Sequence, residues 1–310
     1  MEELDHNILK VLSYFDVFNY PLVEQEIHYF LALEIPPEDL PPALNHLTDT
    51  GIIFYLEGFY SLHNDIGLIK KRLSENKRAE TLLPKAKWIS RLLYHFPFVR
   101  TIGISGSLSK NVADPNSDFD FFIVTQTNRL WITRSIFVLL SRASALLGKR
   151  DWFCLNYYID ESSLRIPEQN IYIATEIITL IFTKYNETSH FFLESNSWVI
   201  RYYPNFRQKK SALTHKEPGT LLKKVLEAML NLVFIDKLDS WLMTLTANHL
   251  KRKKEVGKLV SLHGKELALP LIGKHYCKHD PDYFQAEVLN AHAEKMGHLL
   301  NRYHSLQQQP

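Results

Sequence analysis

Ile104-Ser105-Gly106-Ser107-Leu108 and, after a short loop, Ser117-Asp118-Phe119-Asp120-Phe121-Phe122-Ile123-Val124 are the stretches on which the reading of this chain turns. Two apolar runs flank a Gly-Ser pair, and two aspartates one residue apart open the second run. Side chains alternate across a strand. Asp118 and Asp120 therefore share one face, while Phe119 and Phe121 point into a core on the other. Neighbouring carboxylates repel each other and resist desolvation, so the pair makes sense around a divalent cation, and hard oxygen ligands suit Mg²⁺ or Mn²⁺. Gly106 lets backbone come close to a phosphate, and Ser107 adds a hydroxyl where the next turn begins with its free N–H groups. Two solvated acids beside a turn are the plain alternative. Against it, Phe-Phe-Ile-Val reads as buried, and buried strands rarely carry paired carboxylates without a purpose.

A Gly-Ser, ten intervening residues and an Asp-x-Asp in an apolar strand resemble the signature of the polymerase-β-like nucleotidyltransferase superfamily, over Gly106 to Val124. The resemblance implies an α+β fold built on a mixed β-sheet with flanking helices. It implies transfer of a nucleoside monophosphate from an NTP to a hydroxyl, with pyrophosphate leaving. Asp118 and Asp120 would hold Mg²⁺ or Mn²⁺, and Gly106 and Ser107, with Lys110 nearby, would take the phosphates. Members of the superfamily carry a third carboxylate on the next strand, here Trp152 to Asp160. Alternation puts Cys154, Asn156, Tyr158 and Asp160 on one face, with Asn156 in the middle position. An amide oxygen ligates a metal weakly but cannot accept a proton as a carboxylate does. Asp160 is in phase but at the strand's end, and Asp151 is out of phase. Either Asn156 or Asp160 completes the metal shell on this reading. The amide also opens a second one, a catalytically impaired nucleotide sensor or regulatory protein on the same fold.

At 310 residues the chain is long enough for two or three cores. Two cysteines, no signal-peptide pattern and no apolar run of about 18 residues fit a cytoplasmic protein with no membrane partner. The net charge of +2 conceals an asymmetry: residues 1–65 hold twelve acidic residues and one basic, a net −11, which leaves the rest at +13. Anions are drawn to the later part of the chain.

Three domains are expected. Residues 1–65 read as three helices and a hairpin, Ile52 to Leu56 and Phe59 to Leu62 around Glu57-Gly58, a winged-helix-like module. Its third helix carries Glu38, Asp39 and Asp49 and no Lys or Arg, so a protein partner suits it better than DNA. Residues 66–165 hold a basic helix, broken or restarted at Pro84, and then the catalytic core. Residues 166–310 read as an α-helical C-terminal domain in which Trp198 and Tyr202 either stack on a base or sit in a core. On the helix from Arg129 to Leu147, Arg134 and Arg142 either reach a triphosphate or pair with carboxylates. His275-Tyr276-Cys277-Lys278-His279 matches no zinc spacing. The acceptor stays open among a small molecule, a sugar, a protein side chain and an RNA end.

Overall fold

The structure, a computed structural model, describes residues 2–115, 117–146, 154–206, 221–231, 234–255, 271–278 and 283–307. Its centre is a mixed sheet whose strands alternate between two cores. β3 (Val99–Ile104) runs antiparallel to β4 (Asp120–Thr125), and β4 runs parallel to β5 (Cys154–Asp160). β6 (Ile181–Phe182), β7 (Leu271–Ile272) and β8 (Tyr276–Lys278) complete the order β6-β3-β4-β5-β8-β7. On β4, Phe121 and Ile123 enter one core, and Phe122 and Val124 enter the other. Burial on both faces explains why the strand has no polar residue between Asp120 and Thr125.

The first core lies under three helices. α4 (Ile66–Tyr94), α6 (Leu130–Leu146) and α10 (Ile235–Glu255) contribute Ile89, Leu93, Trp131, Phe137 and Leu242 to it. α4 was expected to break at Pro84 and does not. The ring deletes one N–H at an exposed position, while Ala79, Ala86, Ile89 and Leu93 anchor both sides of it in the core. α9 (Leu221–Leu230) joins this layer at its edge, where Glu227 accepts from the Phe98 N–H at 2.7 Å and pairs with Arg100 at 2.9 Å.

The second core joins the sheet to the N-terminal unit. That unit has the expected order: α1 (Glu2–Asp16), α2 (Glu24–Phe30), α3 (Leu40–Asp49), then β1 (Phe54–Leu56) and β2 (Phe59–Ser61). The hairpin turns on Glu57 and Gly58, both at positive φ, as a twisted two-residue connection requires. Leu22 bridges to Tyr60 and adds a third extended segment beside the hairpin. α7 (Ile171–Ile178), α8 (Glu187–Ser195) and α11 (Tyr283–Gln307) close the layer. α11 is fastened to α1: the Tyr303 hydroxyl donates to the buried Asp5 at 3.0 Å, and Lys295 pairs with Asp16 at 2.5 Å.

Residues 166–310 are not a purely helical domain. They supply β6, which pairs with β3, β8, which pairs with β5, and β7, which pairs with β8, all in the same sheet as the Asp-x-Asp strand. These strands are two or three residues long, too short for a period-two pattern to show. Trp198 and Tyr203 are buried in the second core, and Tyr202 packs against it with its hydroxyl on the Gln169 carbonyl. The core role is the one observed.

Asp239 of α10 caps a neighbouring helix, accepting from the Ile132 N–H of α6 at 2.9 Å. Burial is the main cause that pushes its carboxyl up to about 6, and the hydrogen bonds from Ile132 and Trp131 only partly offset it. A carboxyl raised above its unfolded value of 3.8 holds a proton in the folded state that the unfolded chain has shed. Its contribution to stability therefore falls as pH rises from about 4 to about 6 and stays low above that. The urea midpoint of the wild type, measured relative to Asp239→Asn, should decrease between pH 4.5 and 7. A constant difference would contradict the assignment.

Candidate functional site

The Gly-Ser pair and the Asp-x-Asp meet where β3 ends and β4 begins. Ile104 of β3 pairs with Phe121, and the Ser105 N–H donates to the Asp120 carbonyl at 3.0 Å, so the last turn of ladder fixes the two motifs against each other. The chain then bends into α5 (Gly106–Ser109), a single turn of helix. Gly106 stands at φ +65°, in the left-handed region that L side chains avoid. A Cβ there would lie 2.1 Å from Asp120 Oδ2 and 2.9 Å from its Cγ. The carboxylate of Asp120 is thus seated against the bare α-carbon of Gly106. Only glycine meets both conditions.

Phe121 is in the core under α4 and α6, which leaves Asp120 on the opposite face with Phe122 and Val124, while Asp118 precedes β4 in the connecting loop beside the buried Phe119. Both aspartates are partly buried, and Ser107 is exposed at the start of the turn. The face that carries Asp120 looks toward α7 and the N-terminal unit, where the Tyr20 hydroxyl donates to the Lys110 carbonyl at 3.2 Å. Basic side chains of α4 border the loop from below. Arg78 donates to the Ala113 carbonyl at 3.0 Å, and the Lys85 ammonium lies 5.9 Å from the centre of the Phe119 ring.

Lys110 is engaged within the protein. Its ammonium donates to the Gly106 carbonyl at 3.0 Å and pairs with Glu176 of α7 at 2.8 Å. The Ser109 hydroxyl reaches the same carbonyl at 2.8 Å. Lys110 therefore closes the turn under Gly106, and Glu176 neutralises much of its charge. Glu176 carried no signal in the sequence, because the pair joins residues 66 apart.

Asp160 is not brought to the pair. In the parallel register Asp120 faces Cys154 while Asp160 faces Thr125, five residues along β4, roughly 16 Å away. It is also on the wrong face. Tyr157 and Ile159 pack on the core shared with Phe122, whereas Tyr158, one position out of phase, packs with Phe121 and Cys277. A register shift between Asp120 and Phe122 slips the pairing, and this is what the simple alternation missed. Asp160 is fully buried, and four hydrogen bonds account for its role. It accepts from the Ser162 N–H at 3.0 Å and hydroxyl at 2.6 Å, from the Asn128 N–H at 2.9 Å and from His275 Nδ1 at 2.8 Å. The backbone of Asn156 lies on β5 within the slipped segment, and its side chain, like Asp151, is outside the described residues. Arg134 is buried on the far side of the sheet beside Trp131, and Arg142 is on the same helix, so neither serves the aspartate face. His275 and Cys277 diverge to Asp160 and to the core, and His279 is outside the described residues.

Among the described residues no three His, Cys, Asp or Glu side chains cluster as a ready-made metal cage. Two carboxylates remain a fitting set for Mg²⁺, which usually keeps several waters and takes one or two protein carboxylates together with substrate phosphates.

The Gly106–Asp120 contact can be tested by unfolding. Gly106→Ala should destabilise through two effects, left-handed strain of roughly 1–2 kcal/mol and displacement of the carboxylate. In an Asp120→Ala background most of the second effect disappears, so the cycle should show a clear coupling energy in urea melts. Additive costs would mean that the two residues are not in contact.

Compared with protein-family models, curated proteins and solved structures, the chain matches none.

Proposed function

We infer that this chain binds a nucleoside triphosphate with Mg²⁺ at Asp118 and Asp120 and transfers the nucleoside monophosphate to a hydroxyl acceptor. The observation that carries the reading is the carboxylate of Asp120 seated on the α-carbon of Gly106 at the end of β3. It brings together two motifs that the sequence separates by ten residues, with the spacing and strand pairing that the resemblance to polymerase-β-like nucleotidyltransferases implies.

Asp118 and Asp120 would hold the cation, which supplies charge neutralisation for the polyphosphate and for the leaving oxygen. Gly106 offers backbone with no side chain in the way, and the exposed Ser107 hydroxyl is free to turn toward a phosphate oxygen. Lys110 and Glu176 hold the Gly106 turn in place rather than touching the nucleotide. In the reaction an acceptor oxygen bonds to the α-phosphorus as the bond from that phosphorus to the α–β bridging oxygen breaks. Pyrophosphate departs, and the hydroxyl proton leaves to solvent.

A second reading rests on one observation. The middle of β5, where the resemblance implies a third carboxylate, carries Asn156, and Asp160 faces away. A sensor that binds NTP without turnover fits that composition, with the acidic N-terminal unit, which touches the Gly106 turn through Tyr20, passing the bound state to a protein partner.

Calorimetry with ATP, GTP, CTP and UTP should show binding of at least one that requires Mg²⁺, and Asp120→Ala should weaken it tenfold or more. Equal affinity in EDTA, or an unchanged affinity in the variant, would refute the site. Release of pyrophosphate over a panel of acceptors, the protein itself included, then separates the transferase from the sensor.

A further inference from the structure

The outer side of the layer formed by α4, α6, α9 and α10 is apolar to a degree the rest of the surface is not. On α10, Leu238, Trp241 and Leu245 follow one another at three- and four-residue intervals along the solvent face and are about half exposed, at 45%, 57% and 51%. On α9, Val225 and Met229 repeat the pattern at 45% and 64%. On α4, Trp88 and Leu92 lie one turn apart, at 58% and 46%. Trp131 and Trp198 are buried, so the exposed tryptophans of the described residues are both on this one layer. Exposed apolar residues repeated along helix faces in this way mark a surface that meets something.

The charge says what it meets. On α4 the exposed Arg91 lies next in sequence to Leu92, whereas Arg72 is buried against Glu26 and Arg134 of α6 is buried beside Trp131, so the cations of this side are chiefly those of α10. α10 ends in Lys251-Arg252-Lys253-Lys254, all exposed. The helix dipole by itself favours cations at that end, but it gives no account of the apolar stripe leading into them. The acidic N-terminal unit packs on the opposite face of the sheet. The α9–α10 side therefore combines exposed apolar residues with an exposed cationic helix end.

We propose that the α4–α9–α10 side docks on an anionic lipid surface, with Trp241 and its aliphatic neighbours in the headgroup–acyl boundary and the α10 cations among the headgroups. Helices that lie in an interface combine an apolar face with Trp and with Lys and Arg that attract anionic lipid. No helix among the described residues is long and apolar enough to cross a membrane, so the contact is peripheral. Two other occupants fit less well. A single-stranded nucleic acid would call for stacking aromatics in series, whereas leucine, valine and methionine make up most of this face. A second copy bound through the same face would set positive surface against positive surface.

The inference is independent of the nucleotide reading, and so is its test. The full chain should sediment with vesicles of phosphatidylglycerol and phosphatidylcholine and not with phosphatidylcholine alone. The tryptophan emission should shift to the blue on binding, and 0.5 M NaCl should reverse much of it. Trp241→Ser with Leu245→Ser, both at exposed positions, should weaken binding at least tenfold, as should Lys251→Glu with Lys253→Glu and Lys254→Glu. The proposal is overturned if anionic vesicles fail to bind or if the serine variant binds them as well as the wild type. It is equally overturned if the serine changes abolish a dimer seen by sedimentation equilibrium or binding to an RNA oligonucleotide while vesicles are ignored.

Discussion

A carboxylate resting on an α-carbon that has no side chain is the constraint around which this molecule is arranged. Asp120 can sit where it does only because Gly106 is glycine, and Gly106 can hold φ +65° for the same reason. The contact ties the end of one strand to the start of its neighbour. The sheet around it supplies rigidity, with β4 central and buried on both faces. The turn is then held from behind by Ser109 and Lys110 on the Gly106 carbonyl and by Glu176 on Lys110. Those three groups make a polar support whose parts come from α5 and α7, and Tyr20 links it to the N-terminal unit. A ligand at the aspartate pair would therefore bear on a turn that the N-terminal unit also touches.

The placement of Asp120 was legible in the sequence because its logic is local. Alternation along the apolar run settles which side Asp120 occupies, whereas Asp118 falls in the loop just before the strand, beyond the reach of that pattern. The helix–hairpin order of residues 1–65 was legible for a similar reason, since Glu57-Gly58 announces a tight turn. What escaped the sequence depends on register or on distance. The slip between β4 and β5 leaves no mark in composition, yet it decides which residues of β5 share the aspartate face. Asp160 looked like a metal ligand by count and proves to be a buried acceptor for Asn128, Ser162 and His275. The ion pair of Lys110 with Glu176, 66 residues away, left no mark in the sequence either. The strands β6 to β8 are shorter than any pattern that could reveal them, so residues 166–310 read as helical.

Charge was informative at a coarser level. The acidic beginning packs with α7, α8 and α11 on one face of the sheet, while the cationic end of α10 belongs to the helix layer on the other. Such a molecule has a strong preferred orientation in the field of any charged surface or polyanion. A search for membrane-spanning runs passes over this, since an interfacial helix needs only one apolar face.

The central reading stands or falls on where a cation and a triphosphate settle. Crystals grown with a non-hydrolysable NTP and Mn²⁺ give the direct answer through the anomalous signal of manganese. The account predicts a peak about 2.1 Å from a carboxylate oxygen of both Asp118 and Asp120, with phosphate oxygens on its far side toward Gly106 and Ser107. A peak at any other place, or a nucleotide bound away from the β3–β4 junction, would contradict it.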